Sequence, residues 1–64
     1  MIQIFEYLKS NETATGLIQE AVDRQEVGKI LRGADFSAVY FIVSDRREKN
    51  ISNASELSEY LGGN

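Results

Sequence analysis

The chain predicts an α/β (α+β) domain, and three observations carry that prediction. A central segment at residues 36–44 is apolar on both faces. A proline-free stretch of helix-forming residues runs from 12 to 31. Asn53 stands three residues before Glu56 and opens a short apolar-striped segment closed by Gly62 and Gly63. Together they predict a small mixed sheet in β-α-β-β-α order, with one long helix and a short C-terminal helix, in a single domain over residues 1–64.

Residues 1–8 fit two templates. Ile2, Ile4 and Leu8 alternate against Phe5 and Tyr7, as in a strand, while Met1, Ile4, Phe5 and Leu8 also fit a helical face. The β-branched and aromatic content and the lack of a preceding cap favour the strand. Ser10 or Asn11 then offers an N-cap, with Glu12 placed to meet the positive end of a helix dipole. The long helix predicted from there ends at Leu31, with Gly33 as its C-terminal cap just after the basic Arg32. Glu20 and Arg24 make an i,i+4 pair along it.

The apolar stripe of that helix changes direction midway. Ala14, Leu17, Ile18, Ala21 and Val22 share one face, but Val27, Ile30 and Leu31 point nearly opposite at 100° per residue. Either the helix breaks between Asp23 and Glu26 and both groups pack on one core, or a continuous helix buries different faces at its two ends. With no Gly or Pro between 23 and 26, the continuous helix is preferred.

The central strand does not alternate apolar with polar residues. Val39, Phe41 and Val43 fill one face, and Ala38, Tyr40 and Ile42 the other. Successive strand side chains point to opposite faces, so both sides of this strand call for cover. The charged segment 45–50 reads as a hairpin tip, with a short third strand around 47–51. Asn53 and Glu56 resemble a capping box for a helix carrying Leu57, Tyr60 and Leu61 on one face. The first β-α-β is long enough for a parallel crossover.

Composition removes several function classes. At 64 residues the core is thin, with only about 60% of the unfolded chain's surface buried on folding. Domains of this size commonly add a disulfide, a metal or a partner subunit. The chain has no Cys and no His, which leaves the partner. The same absence removes the usual proton shuttle and the thiol nucleophile, and no glycine-rich phosphate loop is present. The expectation is therefore no enzyme activity, no cofactor and no metal site. Asp45 with Glu48 and Lys49 is the best carboxylate group, and it reads as a solvated turn. No signal-peptide or membrane-length segment is visible, so a cytoplasmic location is expected.

Ten acidic against seven basic side chains give a formal net charge of −3. This argues against nucleic-acid binding, which needs clustered cations. Arg46, Arg47 and Lys49 form the one basic cluster, interleaved with Asp45 and Glu48. The expected function is a non-catalytic interaction or regulatory protein, a homodimer that also binds another, unidentified protein. Val27, Ile30, Leu31 and Tyr40 are its expected interface. The alternative is a small nucleic-acid-binding regulator that sets Arg46, Arg47 and Lys49 on phosphates and stacks a base on a strand aromatic.

Overall fold

The computed structural model describes residues 1–62. It is a small α+β fold with element order β1 (Ile2–Leu8), β2 (Ala14–Ala21), α1 (Arg24–Leu31), β3 (Val39–Asp45), β4 (Arg47–Ile51) and α2 (Ala54–Tyr60). The four strands form one sheet in the order β2-β1-β3-β4, and every neighbouring pair is antiparallel. Residues 1–8 are the strand that the sequence favours. The long helix is corrected: its first half is β2, and only its second half is helical. The mixed sheet is corrected with it, because β1 and β3 run antiparallel rather than joining through a parallel crossover.

The features that suggest a helix start at residues 10–13 build a hairpin turn instead. Asn11 Oδ1 accepts from the Thr13 N–H at 3.1 Å, the side-chain-to-backbone bond that also makes Asn a good cap. The Leu8 N–H donates to the Thr13 carbonyl at 2.9 Å, and Glu12 takes a positive φ of 57°. In β2, Gly16 has φ 88°, a conformation that costs a glycine little, where the register with β1 shifts between Phe5 and Tyr7.

The break falls at Asp23, and it needs no glycine or proline. Asp23 Oδ1 accepts from the Glu26 N–H at 2.9 Å, and Glu26 Oε1 accepts from the Val22 N–H at 2.7 Å. These reciprocal bonds satisfy the first turn of α1 and redirect the chain. Gly33, at φ 87°, follows the C-cap Arg32 in the expected position. The observed arrangement matches neither alternative in full: the chain breaks at Asp23 and turns Val27 and Leu31 onto its own core, but the first group lies on a strand where Leu17 and Ile18 stay exposed.

Residues 36–38 form a turn, not the start of β3. The Ala38 and Val39 N–H groups donate to the Asp35 carbonyl at 3.0 and 3.1 Å. The charged segment 45–50 is mostly strand, with the reversal concentrated at Arg46, whose φ is 65°. The second helix begins as expected: Asn53 Oδ1 accepts from the Glu56 N–H at 2.8 Å, and Glu56 Oε1 accepts from the Ser52 N–H at 2.7 Å. Gly62, at φ 87°, follows the C-cap Leu61, while Gly63 lies outside the described residues.

Both helices cover one side of the sheet. Ile2, Ile4, Phe41, Val43 and Ile51 from the strands meet Val27 and Leu31 of α1 and Leu57 and Tyr60 of α2 in one core. Gly28 lets the two helices approach closely, since a Cβ there would stand 2.9 Å from Leu61 Cδ1.

Candidate docking face

Directly paired residues of an antiparallel ladder share a face, so the register sorts the side chains. Ile4 pairs with Val43 and Ile2 with Ala21, all buried beneath the helices. The intervening residues belong to the opposite face, which neither helix covers. On that face, Ile18, Phe5, Ile42 and Asn50 lie in one row across all four strands. Ala14, Tyr7 and Tyr40 form the next row, and Glu20, Gln3, Ser44 and Glu48 the row on the other side.

The Tyr7 and Tyr40 rings stack with centroids 5.3 Å apart and planes 12° from parallel. Phe5, Tyr7, Tyr40 and Ile42 are half-buried, and Ile18 retains 58% of its exposure. Desolvation holds the Tyr40 hydroxyl above its ordinary pKa, with smaller contributions from Glu12 and Tyr7. Beyond Tyr40, the face runs into a shallow cleft lined by Lys9, Glu12, Asn50, Ser52 and Glu56. Lys9 is committed within it: its ammonium donates to the Ser52 carbonyl at 2.8 Å and also to that of Phe36.

The expected interface residues divide between the two sides of the sheet. Tyr40 lies on the uncovered face. Val27 and Leu31 are 0% and 1% exposed within the chain's own core, and Ile30 is half-buried against it. The helix surface expected to receive a second copy packs instead against β1 and β2 of its own chain. Phe5, Ile18 and Ile42 complete the face and were not among the expected site residues. The spacing that sets Phe5 and Tyr7 on one face of β1, and Tyr40 and Ile42 on one face of β3, is the signal that finds these four positions. Ile18 is hidden from such a reading by the helical interpretation of its segment.

The basic cluster does not meet the aromatics. Lys49 pairs with Val43 and Arg47 with Asp45, so both alternate toward the helix side. Arg46 lies in the reversal beside Asp23, Arg24 and Asp45. The carboxylates also separate, because Glu48 pairs with Ser44 on the uncovered face while Asp45 points to the helices. Asp45 Oδ2 accepts from the Tyr60 hydroxyl at 2.9 Å and from Arg24 Nε at 3.1 Å. Those bonds, Tyr60's first, hold the Asp45 carboxyl below its ordinary pKa. Burial, then the Asp45 bond, pushes the Tyr60 hydroxyl up to about 12. The Arg24 guanidinium also sits 4.9 Å from the Tyr60 ring centroid. This network ties β3, α1 and α2 together and accounts for Asp45 structurally. Among the described residues, no group of three or more acidic side chains is placed to hold a metal ion, and no helix is long and apolar enough to cross a membrane.

No family model matches the chain, and no curated protein or solved structure matches it.

Proposed function

We propose that the protein is a non-catalytic interaction module that docks another protein across the uncovered face of its sheet. The observation that carries this reading is the pair of adjacent apolar rows, Ile18–Phe5–Ile42 and Tyr7–Tyr40, on the side that has no helix. Antiparallel sheets do present one face to water, but the water side then alternates to polar residues. Here the central strands keep aromatic and aliphatic side chains there. Covering a large apolar side chain fully is worth about 1.5–3 kcal/mol. These side chains are already half-covered, so each would add a fraction of that on docking.

The nucleic-acid reading has less support. It needs the cations and a stacking aromatic on one surface, whereas Arg47 and Lys49 alternate away from Tyr7 and Tyr40. A homodimer through α1 is not retained, because its side chains are spent on the core.

The test is site-specific photo-crosslinking in the cell that encodes the chain. A photoreactive phenylalanine at position 42 should yield a discrete protein adduct. The same group at Lys29, on the exposed side of α1, should not. Adducts from position 29 alone, or adducts with nucleic acid from position 42, would defeat the proposal. An adduct of twice the chain's mass would identify the bound protein as a second copy.

A further inference from the structure

We infer that the docking face takes a cationic amphipathic segment of its partner, with an apolar stripe for the two central rows and Lys or Arg side chains at its flanks. This rests on the docking reading above and goes further by naming the chemistry of the occupant. The inference comes from how charge divides between the two sides of the sheet.

On the uncovered face, Glu20 and Glu48 occupy opposite ends of the row next to Ile18, Phe5 and Ile42. Past the tyrosine row, Glu12 borders Tyr40 in the terminal cleft. The apolar centre is thus bounded by carboxylates at both ends. The cations lie elsewhere. Arg24, Lys29 and Arg32 belong to α1 and its cap, and Arg46, Arg47 and Lys49 belong to the reversal and the helix side of β4. Lys9 is the cation at the cleft, and its ammonium is already held by two carbonyls.

Glu20 and Glu48 make no side-chain hydrogen bond and no ion pair with a described residue. They stay solvated in the free protein and can meet a partner's cations at the rim of the contact. Rim charges set partner choice and association rate more than total affinity. A second copy docked face to face would bring an acidic rim against an acidic rim. Like-charge juxtaposition disfavours that occupant, which is why a basic partner segment is chosen over self-association.

The test uses two fluorophore-labelled synthetic peptides of the same length and leucine pattern, one with lysine at every polar position and one with glutamate. Fluorescence anisotropy reads their binding to the full chain at low and moderate salt. The lysine peptide should bind, more weakly as salt rises, and the glutamate peptide should not. Each flanking ion pair is of the exposed kind, so E20Q/E48Q together should weaken binding roughly five- to tenfold. Glu59→Gln, on α2, should leave it unchanged. Both substitutions sit at exposed positions, so the variants should keep the parent's circular dichroism.

Equal binding of the two peptides, or equal loss in Glu59→Gln and the double variant, would overturn the inference. So would a dimer in sedimentation that Ile42→Glu dissociates, since the face would then belong to a second copy. If neither peptide binds while position 42 still cross-links a different protein, the charge assignment fails and the docking face survives. If neither peptide binds and position 42 cross-links nothing, both fail.

Discussion

Leu31→Ala separates a core role for α1 from an interface role more sharply than any other single substitution. Leu31 is 1% exposed and belongs to the same cluster as Val27, Ile4 and Val43, which are 0–1% exposed. Truncating a leucine in such a site costs about 2–5 kcal/mol, the lost transfer energy plus the cavity left behind. A domain of 64 residues has a total stability of only about 3–10 kcal/mol at the usual 0.05–0.15 kcal/mol per residue. With each kcal/mol worth about 4–8 °C for a chain of this size, the melting temperature should fall by at least about 10 °C. The assay is thermal unfolding by circular dichroism for parent and variant, each at two protein concentrations tenfold apart. The parent and the variant should both melt independently of concentration, separated by the same interval at each. A variant within 2–3 °C of the parent would refute the burial argument. A melting point that rises with concentration in the parent but not in Leu31→Ala would place Leu31 between subunits and restore the helix-mediated dimer.

Asn53→Ala removes the acceptor of the Glu56 N–H bond and should cost about 1 kcal/mol, seen as a melting point lower by several degrees. Asp23→Ala should cost a similar amount, because Asp23 does the same for α1. An unchanged melting curve in either would mean that the cap contributes nothing to the fold. Tyr60→Phe should flatten the pH dependence of stability at both ends, read as denaturant midpoints across pH. Tyr60's pKa is raised from 10.0 to about 12, so its contribution is whole below pH 10 and is lost as pH climbs toward 12. A two-unit shift corresponds to about 3 kcal/mol. Asp45 runs the other way: its lowered pKa gives stability above the ordinary Asp range that is lost as pH falls through the folded value. Identical pH profiles for parent and variant would remove the Tyr60–Asp45 bond from the account.

The parts of the fold written in local chemistry are legible in the sequence. Asn53 with Glu56, Gly33 after Arg32, and the turn-free run from Val39 to Val43 each act through neighbours a few residues away. The misreading of Ala14–Ala21 has a definite cause. Leu17, Ile18, Ala21 and Val22 are spaced for one helical face, yet in the strand Ile18 and Leu17 lie on opposite sides and both stay exposed. Periodicity treats exposed aliphatic residues of an edge strand as though they were buried. The Asp23–Glu26 pair carries the same capping signature as Asn53–Glu56 and is the signal that would have divided the segment. The two-sided character of β3 is also visible in the sequence and leads directly to Tyr40 and Ile42. Which side the helices take depends on the register of β1 against its two neighbours, and no local pattern encodes that.

The position of β1 between β2 and β3 has a kinetic consequence. Its contacts with β2 close through a short turn, and those between β3 and β4 close through Arg46, so each hairpin can form from neighbours in the chain. The seam between β1 and β3 joins residues more than thirty positions apart, from Leu8 with Val39 to Gln3 with Ser44. Closing that loop costs entropy before any of its contacts repay it. The barrier to folding therefore lies at the meeting of two preformed hairpins. Substitutions along the seam, such as Ile4→Val or Val43→Ala, should slow folding, while those confined to α2 should mainly speed unfolding.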